Sequence, residues 1–105
     1  MQKTNKSANL TSYTGYKVWA TYDELVQIFG EEAIIIDNDS QIFQWNLENQ
    51  NGDICTIFDW HCHKRIYQDR DYSIDWNIGS FKNTDAMILK EEIDLKLKEI
   101  RYGRK

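Results

Sequence analysis

Residues 43–60, FQWNLENQNGDICTIFDW, narrow the folds open to this chain more than any other stretch. Phe43, Trp45 and Leu47 alternate with Gln44, Asn46 and Glu48, a period of two that suits a half-buried strand and no helix. Asn51-Gly52 follows, the pair that favours a type I′ turn because both central positions need a positive φ. Beyond it, Ile54, Thr56, Phe58 and Trp60 share one face, and Cys55, Ile57 and Asp59 the other. A lone hairpin is marginal in water and needs further strands or a helix on its apolar face. SIDWNIGS (73–80) offers one such strand, with Ile74, Trp76 and Ile78 inward, and Tyr16–Ala20 in YTGYKVWA offers another. Ile34–Ile36 reads either as a short strand or as an apolar loop before the turn chemistry of DNDS.

Two helices complete the pattern. In ATYDELVQIFGEE, Thr21 and Glu24 form a capping box, and Tyr22, Leu25, Val26 and Phe29 make one apolar stripe. Gly30 ends the helix in the left-handed conformation. In NTDAMILKEEIDLKLKEIRYGRK, Asn83 or Thr84 is the expected cap, and Asp85 suits the positive end of the dipole. Ala86, Leu89, Ile93, Leu97 and Ile100 form its buried stripe. The order β-α-β-β-β-α predicts an α+β domain over residues 13–105, an antiparallel sheet of about four strands with both helices on one face. Residues 1–12 lack periodicity and read as a flexible tail. The expected core joins Leu25, Phe29, Phe43, Trp45, Phe58, Trp76, Leu89 and Ile93.

Composition limits the function. A chain of 105 residues is one domain with a modest core. Its formal charge of −4 argues against a general nucleic-acid binder, which needs a basic face to displace counterions. No apolar run reaches the roughly 20 residues that cross a bilayer, and the polar start MQKTNKSANLTS has no signal-peptide core. The expectation is a cytoplasmic protein with free thiols at Cys55 and Cys62.

NGDICTIFDWHCHKRIY gathers both cysteines, both histidines and a tryptophan. If the strand continues past Trp60, then Cys55, Asp59, His61 and His63 face one way, and a His-x-His pair near an Asp is metal-ligand chemistry. Cys62 faces away, however, and no distant ligand pair or HExxH completes a zinc pattern. A strand end with exposed histidines is the plainer reading. Nucleophile elbows, Walker loops and dinucleotide-binding loops are all missing from the sequence, so no enzyme, metal or cofactor is expected. The stretch from Asp59 to Asp71 is instead the expected binding segment. It mixes stacking rings and cations in Asp59, Trp60, His61, His63, Lys64, Arg65, Tyr67 and Arg70.

Taken in order, GYKVWATYDELVQIFGE, QWNLENQNGDICTIFDW and WNIG resemble a set of small proteins of phage and prophage genomes. In that set a YxELVxxFGE helix precedes an EW-like strand, a DG turn, a TIYDW strand and a WxIG strand. The resemblance covers about residues 15–79. This sequence departs from it at HCHKRIYQD and where Asn46 and Leu47 prolong the strand after Trp45. It carries no functional residues over and implies a mobile-element origin. The expectation that follows is a phage counter-defence protein that binds and inhibits a host immune protein or complex, such as a CRISPR–Cas effector. Two alternatives are a sponge for a nucleotide second messenger, using Trp60, His61, His63, Lys64 and Arg65, and a metal-dependent enzyme using Asp59, His61 and His63. Exposed sheet edges further suggest a homodimer.

Overall fold

The computed structural model describes residues 2–4, 12–35, 43–60 and 69–103. The strands are β1 (Gln2–Lys3), β2 (Ser12–Ala20), β3 (Ile34–Ile35), β4 (Phe43–Glu48), β5 (Ile54–Phe58) and β6 (Ile74–Ser80), and the helices are α1 (Tyr22–Phe29) and α2 (Asn83–Tyr102). All six strands join one antiparallel sheet in the order β1-β4-β5-β6-β2, with β3 also pairing β4. The α+β architecture and the β-α-β-β-β-α core order agree with the sequence pattern. Two short strands add to the four expected. Gln2–Lys3, expected within a tail, pairs with Glu48 and Leu47, and Ile34–Ile35 pairs with Gln44 and Phe43. Both cover the outer edge of β4, whose backbone groups would otherwise be unpaired.

The hairpin forms with its alternation intact, Trp45 opposite Ile57 and Leu47 opposite Cys55. Its connection differs from the expected type I′ turn. Gly52 N donates to Asn49 O at 3.1 Å and Asn49 N to Asp53 O at 3.0 Å. Gly52 then takes φ 86°. These bonds describe a three-residue loop whose positive-φ glycine follows the turn. Asn49 selects that form, because its Oδ1 accepts from both Asn51 N and Asp53 N. A second positive-φ glycine, Gly15 at 89°, sits where the β2–β6 register shifts between Tyr13 and Lys17. It allows a bulge in the other edge strand.

Helix α1 keeps the sequence's caps. Glu24 N donates to Thr21 Oγ1 at 3.0 Å, Thr21 N donates to Glu24 Oε1 at 2.9 Å, and Gly30 closes the helix at φ 77°. In α2 neither Asn83 nor Thr84 is the cap. Lys82 holds that position and makes no side-chain cap bond. The C-terminal end of α2 is anchored instead by Arg101, which donates to Glu24 and to Trp19 O. That carbonyl belongs to the β2 edge strand, so one guanidinium joins α2, α1 and the sheet.

The core is one cluster on the helix side of the sheet. It includes Val18, Leu25, Phe43, Trp45, Leu47, Ile57, Trp76, Ile78, Leu89 and Ile93. Phe29 packs against it half-buried. Phe58 does not belong to it, contrary to expectation. It pairs with Gln44 and Asn77 on the outward face, one residue out of phase with Ile57. Trp45 and Trp76 are fully buried and Trp60 is 51% exposed. Replacing either buried ring by Ala empties a large site and should cost about 3–5 kcal/mol. Trp60→Ala should unfold with the parent midpoint in a urea titration.

Candidate functional site

Strand β5 ends at Phe58, and the next residue turns inward. Asp59 is fully buried. Its Oδ1 accepts from Phe43 N at 2.8 Å while its own N–H donates to Phe43 O at 3.4 Å. Side chain and backbone together prolong the β4–β5 ladder by one position. This Asp was expected to present a binding or metal-ligating carboxylate. It is occupied in holding the start of β4 and is closed to solvent. Trp60, directly after it, is exposed. His61, His63, Lys64, Arg65 and Tyr67, together with Cys62, lie outside the described residues.

The chain is described again from Asp69, where a tight turn forms with Asp69 Oδ1 accepting from Asp71 N and Asp69 O from Tyr72 N. Arg70 rises from that turn. Its Nε lies 2.7 Å from Asp23 Oδ1 and its Nη2 3.0 Å from Glu32 Oε2. Its guanidinium sits 4.5 Å above the centre of the Tyr22 ring. Asp23 N, a free amide of the first turn of α1, donates to Arg70 O. Arg70 is thus engaged in docking the segment onto α1 and its cation is already balanced by two carboxylates.

Beneath Arg70, the Tyr22 phenol donates to Glu32 Oε1 at 2.6 Å and accepts from Ala33 N at 3.2 Å. Burial, then the bond to Glu32, pushes the phenol up to about 12. The same bond, and Arg70, hold Glu32 below the usual carboxylate range. The bond from Arg101 likewise lowers Glu24.

A separate cleft of about 630 Å³ opens between the β4–β5 loop and the first turns of α2, lined by Glu48, Asn49, Asp85, Ile88 and Glu92 among others. Asn49 Nδ2 reaches Asp53 Oδ2 at 3.5 Å and Asp85 Oδ1 at 3.4 Å. Asp85 is 8% exposed. Its Oδ2 has no hydrogen-bond partner among the described residues. Behind it lies the buried Cys55, whose thiol is pushed up to about 12 by burial and then by the charges of Asp85 and Asp53. A thiol held protonated in this way is a poor nucleophile. Asp85 read in the sequence only as a partner for the helix dipole. No local pattern marks it as buried, because its burial comes from the distant Asn49 loop.

Among the described residues no group of three His, Cys, Asp or Glu side chains is placed to hold a metal ion. Among the same residues no helix is long and apolar enough to cross a membrane. Comparison with protein-family models, curated proteins and solved structures finds no match.

Two expectations follow. Because the Tyr22 phenol binds its proton more tightly in the folded chain than its ordinary value of 10.0, the stability it confers is complete below pH 10 and is lost as pH rises toward about 12. Chemical denaturation across that range should show a shallower decline for Tyr22→Phe than for the parent. Arg70→Ala should lower stability by about 1 kcal/mol, a network bond with a ring contact in a partly exposed setting. An Arg70→Ala midpoint equal to the parent's would show that the clamp contributes nothing.

Proposed function

We propose that this chain is a non-catalytic binding protein of phage origin that inhibits a host defence protein, such as a CRISPR–Cas effector, by occupying its surface. The observation that carries this reading is the placement of two exposed tryptophans at one end of the outward sheet face. Trp19 stands directly opposite Asp75 in the β2–β6 register. The β5–β6 register runs Thr56 to Gly79 and Phe58 to Asn77, so its continuation brings position 60 to the other side of Asp75. Trp19 is 58% exposed and Trp60 51%. Half of the chain's four tryptophans therefore lie outside the core. Protein interfaces concentrate their binding energy in such residues, especially beside a charge that fixes register.

The phage origin rests on the resemblance of residues 15–79, and the class of partner rests on that origin. The nucleotide-sponge reading needs cations for phosphate, and those it names, His61, His63, Lys64 and Arg65, lie outside the described residues. The metal-enzyme reading needs Asp59, whose Oδ1 is bonded to Phe43 N.

Mixing the purified protein with purified host effectors and, separately, with nucleotide signals tests the reading. Co-elution with an effector is expected, and the Trp19→Ala/Trp60→Ala double variant should bind more than about 100-fold more weakly, as for two hot-spot rings. Its thermal midpoint should stay at the parent value. Depletion of a nucleotide signal without effector binding would overturn the proposal.

A further inference from the structure

Ile88, Leu95 and Tyr102 recur every seven residues along α2 and are 53%, 63% and 82% exposed. Seven residues are nearly two turns, so the three form one almost straight row along the helix. This row is distinct from the stripe that packs on the sheet, where Ala86, Leu89, Ile93 and Leu97 are buried. Nor can α2 roll to bury it, because Arg101 ties its last turn to Glu24 and to Trp19 O. At its N-terminal end the row meets the cleft, which Ile88 lines together with Asp85 and Glu92. Asp85 is buried at that end, its Oδ2 closed to solvent and without a hydrogen-bond partner among the described residues.

We propose that a second copy of this chain covers the row: the two α2 helices pack antiparallel about Leu95, and the Tyr102 of each copy packs on the other's Ile88 at the mouth of its cleft. The spacing selects this pairing. Ile88 and Tyr102 lie equally far from Leu95, so each Ile88 meets the second copy's Tyr102.

The charges select the orientation. Glu91 and Lys98 flank the row on the same side, three or four residues from Leu95. Antiparallel packing brings each Glu91 within one residue of level with the second copy's Lys98, twice by symmetry. Parallel packing would carry the second copy's Glu91 and Lys98 to the opposite flank of the seam, where they make no such pairs. The halves of the helix differ in the same sense. Residues 83–92 carry Asp85, Glu91 and Glu92 against Lys90, and residues 93–102 carry Lys96, Lys98 and Arg101 against Asp94 and Glu99. A homodimer through sheet edges has less to recommend it, since β1 and β3 already pair with the outer side of β4, and β2 is bulged at Gly15.

Sedimentation equilibrium of the full chain across the micromolar range tests the proposal. The parent should weigh as a dimer. Leu95→Glu, a change at an exposed position, should give a folded monomer. Glu91→Lys and Lys98→Glu should each weaken the dimer, and the two together should restore it. A parent that stays monomeric overturns the proposal. So does a dimer indifferent to Leu95→Glu, or a Glu91→Lys/Lys98→Glu pair that fails to recover. The charge pair lies on the solvent side of α2, so it decides the matter even if Leu95→Glu perturbs folding.

Discussion

The contact of Trp45 with Trp76, capped by Tyr22, is the interaction on which the rest of the structure depends. The indole rings meet edge to face with centroids 5.4 Å apart, and the Tyr22 ring lies 5.5 Å from Trp45 and 6.3 Å from Trp76. Three elements meet there, β4, β6 and α1. Such rings bury large area, and their polar tips must find partners. Each does. Trp76 Nε1 donates to Ala20 O, the last residue of β2, and Trp45 Nε1 donates to Glu31 O, just past the α1 cap. The Tyr22 hydroxyl bonds Glu32 and Ala33. The ring cluster therefore fixes where α1 begins and where the chain leaves it for β3. Arg70 then lies over the Tyr22 ring because its two carboxylate partners are already held in place.

Much of this was legible in the sequence. Period-two alternation in FQWNLE and SIDWNIGS located two central strands and the correct inward faces of both. Thr21, Glu24 and Gly30 located both ends of α1. These signals are local, set by the chain's own backbone geometry. The strand following the Asn-Gly pair was harder, since Ile54, Ile57, Phe58 and Trp60 place apolar residues on both faces. Only pairing with Trp45 and Ile78 shows that Ile57 is inward and Phe58 outward. Gln2–Lys3 carries no strand pattern, and its pairing exists because β4 leaves an open edge.

The candidate sites were less legible, for a related reason. A carboxylate in a polar stretch looks solvated, so Asp59 read as a surface group. Its burial depends on Phe43, sixteen residues earlier, turning its amide toward it. Arg70 likewise read as a free cation. Its partners Asp23 and Glu32 come from either end of α1, remote in sequence. Trp19 was read only as part of a strand, and its outward phase follows from its register with Asp75. An aromatic-rich chain of this size carries more rings than its core buries. Among the described residues the exposed rings are Trp19, Trp60, Tyr72, Phe81 and Tyr102. The proposed foreign partner and the proposed second copy would thus use two different surfaces of the same domain.

If the Trp45–Trp76–Tyr22 cluster is the keystone, its indole N–H groups are released only when the whole domain unfolds. Native-state hydrogen exchange of the four indole N–H signals tests this directly. Those of Trp45 and Trp76 should exchange with the same free energy as global unfolding measured by denaturant, while that of the exposed Trp19 exchanges at once. Indole exchange at Trp45 or Trp76 through a low-energy local opening, with the sheet amides still protected, would contradict the account.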